Sequence, residues 1–152
     1  MTKASGCIFL ATNTGRVMLQ QRSSTCSYPN TWAFFGGKAE LDERPIQTLL
    51  RELEEEIGGL PKIQKVYPLY KFTSADSKFT YNTFLISVFQ EFVPDLNSES
   101  SGFCWVNLDR LPQPLHPGVK AQISNRELMT KIKTIHAFDY MDGPNWLDTL
   151  SA

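Results

Sequence analysis

The sequence predicts a mixed α/β domain, a sheet of strands running in both directions with helices on both faces. Short runs rich in β-branched and aromatic residues recur before, between and after two segments of helical periodicity, so strands and helices alternate along the chain. At 152 residues the chain is near the modal size of one domain and can bury a sizeable core. No internal repeat or low-complexity linker marks a boundary, so residues 1–152 read as a single domain.

Gly6 to Thr12 and Val17 to Arg22 read as an opening hairpin. Trp32-Ala33-Phe34-Phe35 reads as a buried strand end. Gly36-Gly37 then supplies a tight turn where the backbone can approach a ligand. Arg44 to Ile57 is the first helix, with Pro45 in its first turn, where the missing N–H costs little, and Gly58-Gly59 stopping it. Ile46, Leu49, Leu50, Leu53 and Ile57 fall at helical spacing, so that face packs inward and the carboxylate face looks out.

Lys65 to Thr73 and Thr80 to Phe92 read as strands joined by a turn at Ser74 to Lys78. Phe103 to Val106 is a late strand, and Leu108-Asp109-Arg110-Leu111-Pro112 a short turn after it. Val119 to Phe138 carries the second helix, with Ile123, Leu128, Ile132 and Ile135 in the core. The tail from Asp139 to Ala152, with Trp146 and Leu147 among polar residues, can dock on the domain or on a partner.

The chemistry concentrates between Gly37 and Gly59, in GKAELDERPIQTLLRELEEEIGG. Positions three and four apart share a helix face, so Glu52, Glu55 and Glu56 project side by side. Carboxylates sharing a site raise one another's pKa unless a cation neutralises them. A hard divalent ion suits such an all-oxygen set, and Mg²⁺ typically binds through a few carboxylates together with substrate phosphates. The plain alternative, a solvated glutamate-rich face, fits RELEEE taken alone. It does not explain the glycine turn or Glu40 and Glu43 just before the helix.

The specified positions are Gly37, Glu43, Arg51, Glu52, Glu55, Glu56 and Gly58. At average usage of roughly 7% per residue type, such a set arises by chance about once in 10⁸ windows. The segment resembles the Nudix box, GX5EX7REUXEEXGU, where U is a bulky aliphatic residue. Leu53 fills the first U. The last is Gly59, a departure, and Leu60 is expected to supply the apolar contact instead. Phe35 stands where proline is common, a scaffold variation.

The resemblance implies an α/β/α sandwich around a central mixed sheet, and a Mg²⁺-dependent hydrolase, with Mn²⁺ as a substitute, that cuts a pyrophosphate link. The substrate would be a nucleoside diphosphate joined to another moiety: a nucleotide sugar, ADP-ribose, FAD or a dinucleoside polyphosphate. A second reading is a triphosphatase releasing pyrophosphate from nucleotides. A third is a non-catalytic nucleotide-sensing module, which an intact acidic cluster disfavours. Glu52 and Glu56 are the first choice for metal ligands, with Glu55 next. Arg51 organises the cluster by pairing with Glu43 or Glu52. Gly36, Gly37, Glu43 and Gly58 shape the loop. Family members place a base or extra ligand in a later loop, and Glu99, six residues before Trp105, is the matching carboxylate here. The catalytic set expected on this basis is Glu52, Glu55, Glu99 and Arg51.

Tyr28, Tyr70, Phe72, Phe79 and Tyr81 are candidates to stack on a nucleobase. A net charge of −1 offers no broad attraction to duplex nucleic acid or an anionic membrane. No run of 18 apolar residues or basic leader pattern appears, so the expectation is a cytoplasmic protein acting on a small-molecule nucleotide. The resemblance leaves a homodimer open, with no sequence feature that demonstrates an interface. Cys7, Cys26 and Cys104 form no disulfide framework or zinc pattern; Cys7 and Cys104 are expected to be buried and Cys26 exposed. His116 and His136 have no metal-like spacing.

Overall fold

The computed structural model describes residues 1–141, and the tail residues Trp146 and Leu147 lie outside the described residues. The elements are β1 (Thr2–Ala11), β2 (Arg16–Arg22), β3 (Trp32–Ala33), β4 (Phe35–Lys38), α1 (Pro45–Ile57), β5 (Lys65–Thr73), β6 (Phe79–Val88), β7 (Ser100–Val106), α2 (Pro117–Ile123) and α3 (Arg126–Met141). The strands form a mixed sheet in the order β3-β2-β1-β6-β5, with β4 beside β1 and β7 beside β2. Of the strand pairings among the described residues, β1–β6 is parallel, running from Thr2↔Phe79 to Ala11↔Val88, and the rest are antiparallel.

Strand alternation divides β1 between two cores. Cys7, Phe9 and Ala11 face α1, where they join Met18, Phe35, Leu49, Leu53, Ile57 and Ile86. Ile8 and Leu10 face the opposite way and join Leu19, Leu69, Leu85, Val119, Leu128 and Ile132. Helices thus cover both faces of the sheet, as the patterning predicts.

The relation of β1 to β2 creates the site. Their antiparallel pairing is confined to Leu10↔Val17 and Ala11↔Arg16. Nearer the start of β1 the two strands part, and β4 takes the place beside β1, from Ala4↔Lys38 to Cys7↔Phe35. Meanwhile β2 pairs with β3 and β7. A cleft opens where the sheet splits.

Several expectations need correction. The second helix is two helices: Asn125 Oδ1 accepts from the Leu128 backbone N–H at 3.1 Å and starts α3 afresh, while Ser124 ends α2. Short polar side chains favour such caps over helix interiors. Strand β6 ends at Val88 rather than Phe92, and the Phe92 ring instead packs edge-on to Phe9 and Trp105. Leu60 is exposed and does not replace the aliphatic residue missing at Gly59; Ile63 packs against the core. Cys7 is buried, whereas Cys26 and Cys104 are both half-buried, and all three are free thiols.

The largest correction concerns α1. Gly36-Gly37 is not a tight turn but part of strand β4, and the carboxylate face does not simply look out because the helix lies across that strand. Glu56 is only 2% exposed, while the Glu55 side chain keeps 57% of its surface. One helical step therefore separates a buried carboxylate from a solvated one.

Candidate active site

Helix α1 is held in register over β4 by local chemistry. Pro45 opens it, and the Arg44 backbone N–H donates to Gln47 Oε1 at 2.9 Å. Gly58 closes it at φ +74°, a left-handed conformation that glycine adopts without strain. A Cβ on Gly58 would also lie 2.9 Å from the Asp95 side chain.

The glycines of β4 allow close approach. A Cβ on Gly37 would stand 2.5 Å from both carboxylate oxygens of Glu52, so Glu52 occupies space that only glycine leaves free. A Cβ on Gly36 would meet the Gly6 Cα at 2.6 Å. The Gly36 N–H donates to Glu56 Oε1 at 3.3 Å. Gln20 Nε2 donates to Glu56 Oε2 at 3.4 Å, and the Ser100 hydroxyl donates to Gln20 Oε1. Glu99, next in the chain to Ser100, is placed by its own N–H donating to Asn97 Oδ1 and by its carbonyl accepting from the Ser23 N–H, both at 2.9 Å.

Arg51 ties the loop to the helix. Its Nε and Nη2 donate to Glu43 Oε2 and Oε1 at 2.8 and 2.9 Å, its Nη1 donates to Glu52 Oε1 at 3.0 Å, and Nη2 also reaches the Lys38 carbonyl at 2.9 Å. The sequence left Glu43 and Glu52 as alternatives; Arg51 holds both. This fork holds Glu43 down to about pH 2 in its titration, helped by the Glu40 backbone N–H. Glu55 turns to the same guanidinium, with Oε1 at 3.4 Å from Nη1; of the carboxylates, Glu56 and Glu99 line the cleft, while Glu52 and Glu55 stand behind it.

Electrostatics at Glu56 run the other way. Burial, then the nearby carboxylates of Glu52 and Glu99, push its pKa up to about 8. Burial raises that of Glu52 as well, against the pull of Arg51. The site therefore carries more negative charge than its own side chains can neutralise. Among the described residues no three His, Cys, Asp or Glu side chains stand in a ready-made ion-binding arrangement. The chemistry of the cluster nonetheless fits a hard cation: Glu52 and Glu56 could offer carboxylate oxygens, and a divalent ion would relieve the excess charge to which Glu99 adds.

The cleft has a volume of about 680 Å³, large enough for a small-molecule ligand. Glu56 lines one end with Glu99 and Arg22, whose charges act on it, level with Gly6 of β1; Phe72 and Phe79 line the other, where Phe79 pairs with Thr2, and Lys38, Tyr70 and Tyr81 also line the cleft. Tyr28, grouped with those aromatics by sequence, does not line it; its ring meets His116 edge-on at 4.9 Å. His116 does line the cleft, accepting from the Gly118 N–H at 2.9 Å, with its pKa lowered by burial and then by Arg22. Sequence reasoning missed Gln20, Arg22, Lys38, Ser100 and His116. The polar side chain of Gln20 inside the apolar run VMLQQ was the available signal.

A family model described as NUDIX domain matches residues 1–126. The chain is 32% identical over 120 residues to an 8-oxo-dGTP diphosphatase of Haemophilus influenzae, covering 75% of this chain and 82% of that protein. It is 46% identical over 44 residues to a CTP pyrophosphohydrolase of Escherichia coli, and that match spans 29% of this chain and 33% of the relative. Among solved structures, the Nudix hydrolase RenU of M. smegmatis superposes with a TM-score of 0.66 at 25% identity, covering 86% of each chain.

Proposed function

The chain belongs to the NUDIX domain family, and from that premise we propose that it is a divalent-metal-dependent pyrophosphohydrolase converting a nucleoside triphosphate to the monophosphate and pyrophosphate. The approach of Glu52 and Glu56 to Gly37 and Gly36 of β4, with Glu99 and Arg22 near enough for their charges to act on Glu56, carries the proposal. Similarity to proteins named as a CTP pyrophosphohydrolase and an 8-oxo-dGTP diphosphatase favours a triphosphate over the diphosphate-linked substrates put first from sequence.

Glu52 and Glu56 are the residues to hold the metal, with Glu99 beside them as the base; Glu55, turned to Arg51, would have to swing to join them. A bound Mg²⁺ or Mn²⁺ would neutralise charge on the phosphate oxygens and acidify water. Arg22 and Lys38 supply positive charge for the polyphosphate. Arg22 is held at the cleft by Ser27, its Nε donating to the Ser27 carbonyl at 2.7 Å and its Nη2 to the Ser27 hydroxyl at 3.0 Å. The Glu99 carboxylate takes the proton of the attacking water as the α–β anhydride bond breaks. Arg51 positions Glu52 and touches no substrate. The aromatic end receives the base.

A screen of nucleoside triphosphates and diphosphate-linked nucleotides, with Mg²⁺ and with chelator, tests the proposal. Monophosphate plus pyrophosphate is the expected product pair, abolished by chelator. Turnover restricted to diphosphate-linked substrates would replace the triphosphate reading, and no turnover of any nucleotide would sink the enzyme.

A further inference from the structure

Tyr81 stands where the two ends of the cleft meet. It lies on β6 between Phe79 and Thr83, and the three share one face of the strand by the two-residue repeat. Its ring is 6.4 Å from that of Phe79 at the aromatic end. Its hydroxyl lies over Gly6, in the volume a Cβ there would take. Gly6 in turn underlies Gly36, whose N–H holds Glu56. The side chain thus bridges from the aromatic wall to the edge of the acidic site. Among the described residues the Tyr81 hydroxyl has no hydrogen-bond partner, although it sits on the cleft floor.

A nucleotide laid with its phosphates at the charged end and its base at the aromatic end must pass its sugar over this position. A polar group covered by ligand and left without a partner is costly, whereas one that meets a complementary hydroxyl adds affinity and specificity. Gln122 does not compete for the role, since its Nε2 is committed to Thr83 Oγ1 at 3.1 Å. Gly6 is what makes room: any larger residue there would displace the phenol oxygen.

We propose that Tyr81 is a specificity-determining residue whose hydroxyl hydrogen-bonds a sugar hydroxyl of the bound nucleotide. This rests on the proposed nucleotide hydrolase activity for its kinetic form but not for its binding form.

The test is a cycle between the phenol oxygen and the sugar oxygens. Wild type and Tyr81→Phe are compared on the ribo-, 2′-deoxy- and 3′-deoxynucleoside triphosphates of the base most rapidly turned over, or of guanine where none is. Affinities for the three corresponding monophosphates are measured by calorimetry. Tyr81→Phe is expected to lower kcat/KM and monophosphate affinity about five- to tenfold with ribose, the worth of one hydrogen bond. With either the 2′-deoxy or the 3′-deoxy analogue that loss should vanish, which also shows the variant to be folded. An equal loss on all three sugars, or no loss on any, overturns the proposal. Absence of pyrophosphate release by the wild type would sink the triphosphatase reading alone, because the monophosphate cycle still decides Tyr81. No measurable binding of any monophosphate would sink both.

Discussion

The guanidinium of Arg51 grips Glu43 through two parallel bonds of 2.8 and 2.9 Å while its third nitrogen reaches Glu52 at 3.0 Å. One planar group therefore fixes the loop before α1 and aims a carboxylate on α1. A lysine carries the same charge but cannot span these positions. Arg51→Lys should cost about 1.5–3 kcal/mol of stability, as for hydrogen bonds to charged groups, and weaken metal binding about 10- to 100-fold, as for partners that orient ligands. Urea denaturation and Mn²⁺ titration measure the two effects separately. An unchanged metal affinity would limit Arg51 to holding the loop.

The same fork sets an acid limit. Glu43 titrates at about 2 in the folded protein, below an unfolded glutamate. The unfolded state binds the proton first as pH falls, so the stabilisation present at neutral pH is lost as pH falls through the glutamate range toward 2. Glu43→Gln should be less stable than wild type at pH 7, and the gap should narrow at low pH. A gap that stays constant from pH 7 to pH 3 would mean that Glu43 acts through packing rather than charge.

Glu56 has the opposite sign. Its pKa of about 8 lies above the unfolded value, so the folded state holds the proton more tightly. Metal-free protein should therefore lose stability as pH rises from about 4.3, the unfolded value, toward 8. In thermal melts with chelator, Glu56→Gln should match wild type at about pH 4, below the unfolded glutamate value, and exceed it at pH 8. With Mg²⁺ the order should reverse at pH 8, because only the carboxylate gains from the ion. A wild-type melting temperature that rises with pH in chelator would contradict the buried, unneutralised carboxylate.

Glu99 and Glu56 are separable by kinetics. If Glu99 takes the water proton, Glu99→Gln should lower kcat about 10²- to 10⁴-fold, the range for general base catalysis, with metal affinity changed less than for Glu56→Gln. An unchanged kcat for Glu99→Gln, beside loss of turnover in Glu56→Gln, would remove Glu99 from the mechanism.

The parts of this site visible in sequence are those that lie within α1 and its approach, where helical spacing puts Glu52, Glu55 and Glu56 on one face, although Glu55 turns to Arg51 instead. Their partners were not visible because they arrive through the sheet. Gln20 meets Glu56 across 36 residues and Ser100 meets Gln20 across 80. Both contacts depend on β2 leaving β1 to pair with β7, a choice of neighbour that strand patterning does not encode. Burial of Glu56 was hidden for the same reason, since periodicity marks the carboxylate face without showing that a glycine-bearing strand lies beneath it. The break between α2 and α3 was legible in principle from Ser124-Asn125, but the apolar repeat runs through it.

Gly37 offers the sharpest separation of fold from function. Its backbone does not adopt positive φ, so alanine is acceptable there except for the space that Glu52 fills. Because Glu52 is a side chain, it can yield where backbone would not, and the fold should tolerate Gly37→Ala. The carboxylate would then leave its place in the acidic cluster. Gly37→Ala is expected to melt near the wild-type temperature and to lose about 100-fold in kcat/KM, the upper range for disturbing a metal site. Glu52→Asp added to that variant shortens the side chain by one methylene and should restore part of the activity, although Glu52→Asp alone lowers it. Steady-state kinetics of the four proteins give the cycle. Losses that simply add would mean that Gly37 does not act by making room for Glu52.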